Sequence, residues 1–176
     1  MQSNEVLDTI KERRSIYKYN DEEVNEEEVN TVLEAGRWAP SFANLQPWKF
    51  IVVRDSETKN KLHEIAQRIT LFREGIDQAP VVIAVATNQD KDPNHYAEAG
   101  AVASQNMALA AHSIGLSSYW IGVFDIDSEK DSAEKDAKKV LDLSEDERLI
   151  SLLPIGRTDQ VRTGERKDLE EMVVRK

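Results

Sequence analysis

Ala39-Pro40-Ser41-Phe42-Ala43-Asn44-Leu45-Gln46-Pro47-Trp48 fits neither a core strand nor a surface linker. Its two prolines, seven residues apart, fix local torsions and remove two N–H donors, which excludes an ordinary helix or central strand. Between them Ser41, Asn44 and Gln46 carry uncharged groups that donate and accept hydrogen bonds, interleaved with Phe42 and Trp48. A rigid turn presenting amides beside aromatic surface suits a flat heterocycle with polar edges. The same residues are also consistent with a well-packed turn joining a helix to a strand over residues 49–53.

Upstream, Val6, Leu7 and Ile10 mark one face of an N-terminal helix that runs into Lys11-Glu12-Arg13-Arg14-Ser15, and the chain turns extended through Ile16-Tyr17-Lys18-Tyr19. Two guanidiniums and a hydroxyl therefore converge where a helix hands over to a strand. Arginine forks match phosphate oxygens bidentately, so Arg13-Arg14-Ser15 reads as a phosphate clamp. Paired arginines at a helix end also serve as partners of the helix dipole.

Asn25 with Glu28 forms a capping-box pattern ahead of Val29, Val32 and Leu33, predicting a helix that ends near Gly36. Phe50 to Val53 predicts a buried strand, and Ser56 is the expected cap of a helix carrying Leu62, Ile65, Ala66 and Ile69. Val81 to Ala86 predicts a second buried strand. Tyr96 to Ile114 predicts a long helix rich in small residues and closed by Gly115, placed centrally in the core or at a subunit interface. Tyr119-Trp120-Ile121 and Leu149 to Leu153 supply two further strands around a charged helix ending near Val140-Leu141. This interleaving predicts an α+β (α/β three-layer) architecture in a single domain spanning residues 1–176, with a polar, basic tail from about residue 157.

The formal charge of −10 argues against nucleic acid as the main partner, and the basic residues Arg13, Arg14 and Arg166 stand out against it as places to hold an anion. There is no cysteine, so disulfides, thiol catalysis and thiolate metal sites are excluded. The longest apolar runs are too short to span a bilayer, and no signal pattern opens the chain, so a soluble, cytoplasmic protein is expected. Protein-based catalytic machinery is nearly absent. His63, His95 and His112 are scattered and read as surface or satisfied-core residues, with no metal site expected. Nucleophile elbow, P-loop and G-x-G-x-x-G fingerprints are missing. An enzyme built this way must borrow its chemistry, and a flavin is a natural source.

Arg13-Arg14-Ser15, followed about 25 residues later by Ala-Pro-Ser-x-x-Asn-x-Gln-Pro-Trp, resembles the FMN-dependent nitroreductase family. The resemblance continues through Gln78-Ala79-Pro80-Val81-Val82-Ile83, Gln105 to Ala111, Ser118-Tyr119-Trp120-Ile121-Gly122 and Leu153-Pro154-Ile155-Gly156. It implies a nitroreductase-like fold with a central mixed, mostly antiparallel sheet flanked by helices, in an obligate dimer whose C-terminal tail, about 157–176, reaches toward the partner subunit. It also implies tightly but non-covalently bound FMN at the subunit interface, NADH or NADPH as reductant, and ping-pong hydride transfer through flavin N5 to a nitroaromatic, quinone or similar acceptor. Arg13, Arg14, Ser15 and Arg166 would hold the phosphate and ribityl end. Pro40, Ser41, Phe42, Asn44 and Gln46 of the other subunit would line the ring, with Ile121 and Gly122 beside its reactive edge. No side chain is expected to be catalytic.

Two departures from the family pattern carry expectations of their own. Tyr17 stands where many relatives place a lysine or arginine against the flavin N1–O2 edge, with Lys18 expected on the opposite face. A short stretch before Pro80 implies an open pocket, or one covered by Leu71, Phe72 and Arg73. Alternatives left open are another reductive task for the same flavin, such as dehalogenation, enone reduction or flavin supply to a partner enzyme, and a flavin-binding or purely structural dimer without turnover.

Overall fold

The computed structural model describes residues 3–69, 75–124 and 132–176. In chain order the elements are α1 (Glu5–Glu12), α2 (Glu26–Arg37), β1 (Trp48–Val53), α3 (Ser56–Ala66), β2 (Val81–Asn88), α4 (Tyr96–Ser113), β3 (Ser117–Ser118), β4 (Ile121–Gly122), α5 (Ala133–Val140) and β5 (Glu147–Gly156).

The sheet runs β1-β2-β5-β3, with β4 also on β5, and every named strand pair is antiparallel. Among the described residues the one parallel contact is an isolated bridge from Ser15 to Ser118. The segment expected to be extended after Ser15 therefore docks on the sheet edge by a single bridge and forms no strand.

Because successive strand side chains point to opposite faces, the continuous apolar run of β2 serves two cores. Val81, Ile83 and Val85 pack with Val29, Val32, Ala103, Met107 and Ala111 beneath α2 and α4. Val82 and Ala84 pack with Leu62, Ala66, Ala133 and Ala137 beneath α3 and α5. The result is the expected three layers. Small residues set the helix spacing: a Cβ on Gly36 would lie 2.1 Å from Met107 Cε, and one on Gly100 would lie 2.5 Å from Ile150 Cγ1.

The α2 capping box forms as read, Asn25 Oδ1 accepting from Glu28 N and Glu28 Oε2 from Asn25 N. The cap of α3 is Asp55, whose Oδ1 accepts from Thr58 N at 2.8 Å; Ser56 is instead the first helical residue. The expected strand over Tyr119–Ile121 is split into β3 and β4, which share one register against β5. That register sets Pro154 opposite Tyr119. Proline has no amide to donate, so the ladder opens there, and Pro154 O accepts from the Tyr19 hydroxyl at 3.0 Å.

No described helix is long and apolar enough to cross a membrane. The residues expected to cover the pocket, Leu71, Phe72 and Arg73, lie outside the described part of the chain.

Candidate functional site

The last turn of α1 delivers Arg13 and Arg14 to the sheet edge, where Ile16 N donates to Ser118 O at 3.1 Å and fixes the direction of the chain. From the other side the segment after β5 returns along the same path. Thr158 Oγ1 donates to Lys18 O at 2.7 Å, and Arg162 Nη1 donates to Ser15 O at 3.0 Å. These two strokes enclose a cleft of about 160 Å³ lined by Arg13, Arg14, Ser15, Tyr17, Arg162, Thr163 and Arg166. Four guanidiniums and no carboxylate line it, in a chain of net charge −10.

Such a cluster is costly without an anion. Burial, then the neighbouring Arg14 and Arg166 charges, hold the Arg13 pKa below the ordinary guanidinium value. Arg14 Nη1 bonds Lys11 O at 2.5 Å and Arg13 O at 2.9 Å, while its Nε is buried without a partner. Gly164 keeps the tail slim where it passes, since a Cβ there would sit 3.4 Å from Arg14 Nε and 3.5 Å from Arg166 Nη1. A buried, unserved donor among like charges is what an oxyanion relieves.

Tyr17 forms the wall of this cleft. Its ring meets Tyr119 edge-on at 4.8 Å, and the Arg162 guanidinium lies 4.5 Å from its centroid. Position 17 lacks a cation of its own and holds one by stacking. Lys18 is exposed and does not line the cleft.

The Pro40–Pro47 segment folds as a strained turn. Ala43, Asn44 and Gln46 have φ of 46°, 57° and 49°, which for side-chain-bearing residues costs on the order of 1 kcal/mol or more each. Internal bonds hold it: Gln46 N donates to Ser41 Oγ at 3.0 Å, Asn44 N to Ser41 O at 3.1 Å and Leu45 N to Phe42 O at 2.9 Å. Phe42, Asn44 and Gln46 are exposed, and Phe42 stacks on His95 with centroids 4.5 Å apart. A second cleft, of about 260 Å³, is lined by Pro40, Ser41, Phe42, His95, Glu98, Ala99 and Val102.

The structure thus brings Arg13, Arg14, Ser15, Tyr17 and Arg166 into one cleft and Pro40, Ser41 and Phe42 into another, with no lining residue in common. Asn44 and Gln46 stand on the same turn but line neither cleft, and neither do Ile121, which is buried, and Gly122, which is exposed on β4. Sequence reading missed Arg162 and His95. The available signal for Arg162 was one more arginine in a tail that also carries Arg157, Arg166 and Arg175, in an acidic chain; for His95 it was Asp92 three residues upstream, while the stacking on Phe42 is set by the fold. His63 pairs with Asp77 at 3.2 Å, and among the described residues no group of three or more metal-ligating side chains occurs.

Comparison with known proteins gives the family and the fold. The model of the Nitroreductase family matches residues 10–157. A protein of Methanothermobacter thermautotrophicus, provisionally named an NADH dehydrogenase/NAD(P)H nitroreductase, is 35% identical over 154 residues, covering 86% of this chain and 76% of its own. Iodotyrosine deiodinase 1 of Rattus norvegicus is 27% identical over 206 aligned residues, covering 99% of this chain and 70% of its own. The solved structure of an FMN-dependent nitroreductase from Clostridium difficile superimposes with a TM-score of 0.85 at 30% identity, covering 95% of this chain and 96% of that one. By family match and fold together, the chain belongs to the nitroreductase family of oxidoreductases.

Proposed function

We propose that the protein is an FMN-dependent NAD(P)H oxidoreductase that works as a homodimer, each flavin held between the arginine cleft of one subunit and the Pro40–Pro47 turn of the other. The observation that carries this reading is the arginine cleft itself, with Arg14 Nε buried and unserved. At about 160 Å³ the cleft suits a phosphate group and falls short of the ~300–1,000 Å³ of a complete cofactor site, so a second surface must supply the rest.

Arg13, Arg14 and Arg166 would neutralise the phosphate, and Ser15 would bond an oxygen near the ribityl chain. Arg162, carried on Tyr17, adds positive charge along the same wall. Phe42 would offer a flat face, with Asn44 and Gln46 bonding the polar ring edge. Ile121 and Gly122 would approach the reactive edge by their backbone, where an N–H stabilises negative charge. FMN when bound supplies hydride acceptance and donation at N5. The chain's own contribution is to bind, orient and shield the reactants. If reductant and acceptor use one space in turn, initial rates give parallel double-reciprocal lines.

The single chain leaves apolar surface for a second subunit. α1 buries none of its residues, with Val6 66% exposed, and Phe42 on the turn is 58% exposed. Residues 167–176 are exposed as well, carrying Leu169, Met172 and Val174 outward. Residues 157–166 lie along their own chain, so the reach toward a partner falls to the segment beyond them.

An anaerobic absorbance titration tests the reading. Flavin bands at about 370 and 450 nm that collapse on adding NADH or NADPH are expected; protein that takes up no FMN overturns it. The match to a deiodinase along nearly the whole chain favours reductive dehalogenation as a second reading, distinguished by iodide release from an iodinated phenol under the same conditions.

A further inference from the structure

His95 sits at the N-terminus of α4 and is held from two directions. Its ring stacks on Phe42 with centroids 4.5 Å apart and planes inclined by 23°. Its Nδ1 lies 3.2 Å from Asp92 Oδ1, which also accepts the His95 backbone N–H at 3.0 Å. An ionised carboxylate can only accept, so the Nδ1 proton faces Asp92 and Nε2 is turned away from it.

Asp92 is 2% exposed, and its Oδ2 is buried without a partner. A buried carboxylate with an oxygen unserved is costly, and the His95 ring is the ionisable partner bonded to its other oxygen. The His95 side chain is 42% exposed, so protons can reach it from solvent. It lines the cleft beside Pro40, Ser41 and Phe42, the turn read above as the flavin wall. Glu98 is the other ionisable group in that lining, and the turn contributes no charge.

From this geometry we infer that His95, oriented by Asp92, is a catalytic residue that delivers a proton to the electron acceptor. The inference rests on the flavin reading above. In quinone reduction, bound FMN reduced by NAD(P)H would supply the hydride, two electrons and one proton, to the acceptor. The acceptor oxygen takes the bond's electron pair and is protonated by the imidazolium, which regains its proton from water. The quinone gains two electrons and two protons in all. A nitro group has the same requirement, one hydride and one proton forming the nitroso product after loss of hydroxide as water. Asp92 does not touch the acceptor and acts as a positioning residue.

The test compares wild type with His95→Phe, which keeps the stacked ring but has no proton to give, with His95→Gln, and with Asp92→Asn. Both His95 variants should still take up FMN and be bleached by NADH, with His95→Phe keeping the ring stacked on Phe42. Anaerobic reoxidation by a soluble quinone should slow at least ~10-fold in both, as removal of a general acid does. In wild type that rate should fall as pH rises, as the supply of protonated acid runs down, and in the variants it should be flat. Histidine ¹⁵N spectra of the FMN-free protein give a readout independent of turnover: two rings are protonated at Nδ1, those of His63, which faces Asp77, and of His95, and the His95 signal is lost in His95→Gln and redistributed in Asp92→Asn. FMN binding and reduction with wild-type reoxidation in His95→Phe overturns the proton role alone; failure to bind FMN overturns it together with the flavin reading; an Nδ1-free tautomer overturns the Asp92–His95 pairing.

Discussion

Arg162 Nη1 donates to the carbonyl oxygen of Ser15 at 3.0 Å, across 147 positions of sequence. One bond thus ties the C-terminal segment to the arginine turn and brings the guanidinium over Tyr17. The cation absent from position 17 is recruited from the other end of the chain.

Replacing both Arg13 and Arg14 with alanine removes charge-assisted bonds of about 1.5–3 kcal/mol each, so FMN affinity should fall by roughly two orders of magnitude or more. Arg162→Ala should cost about tenfold by loss of the stacked cation, with Arg162→Lys recovering part of it. Fluorescence titration of FMN measures all three. Wild-type affinity in the double variant would mean that the cleft holds something other than the flavin phosphate.

The backbone of the Pro40–Pro47 turn makes a second prediction. Ala43 has φ of 46°, a region that glycine enters freely and a β-branched residue hardly at all. Ala43→Gly should leave melting temperature and FMN affinity close to wild type. Ala43→Val should destabilise by about 1–3 kcal/mol and weaken FMN binding, because the turn must open to admit it. Equal behaviour of the two variants would show that the turn conformation contributes nothing to the site.

Much of the fold was legible because it rests on local rules. The Asn25–Glu28 box, the apolar run of β2 and the small residues of α4 each signal their element without reference to the rest of the chain. Misreadings arose at one place where a distant residue decides and at one where two neighbours compete for the same role. The break between β3 and β4 depends on Pro154 lying opposite Tyr119, and the cap of α3 on a contest between adjacent Asp55 and Ser56. Within the site, Arg13-Arg14-Ser15 and the proline-bounded turn are contiguous and could be read. Arg162 enters by tertiary contact, as does the stacking of His95 on Phe42, and residue spacing carries no trace of either.

Gly36 and Gly100 both lie under a neighbouring side chain, yet alanine should be tolerated differently at the two. At Gly36 the closest atom is the terminal Cε of Met107, which can swing aside, Met107 Cγ and Phe50 Cζ at 3.1 Å need give by only a few tenths of an ångström, and alanine adds helix propensity. At Gly100 all three nearest atoms belong to Ile150, which is stiff at χ1 and fixed in β5. Urea denaturation should place Gly36→Ala within about 1 kcal/mol of wild type and Gly100→Ala about 1–3 kcal/mol below it. The reverse order would mean that α4 is free to move on the sheet.

Glu34 controls the entry to the turn. Its carboxylate accepts from Arg37 Nε at 2.7 Å and from Trp38 Nε1 at 2.7 Å, so the last turn of α2 is clasped just before Pro40. Those bonds, Arg37 first and Trp38 second, hold its pKa down to about 2 from an ordinary 4.5. A depressed folded-state value means that the contribution is fully present above the unfolded pKa near 4.5 and is lost as pH falls toward 2. The group is solvent-exposed, so salt should screen the pairing. Carboxyl NMR should show Glu34 titrating well below the other exposed glutamates, moving up in 1 M salt and further in Arg37→Ala. Titration of Glu34 at the ordinary glutamate value in wild type at low salt would show that the clasp does not persist in solution, and would remove it as a restraint on the turn.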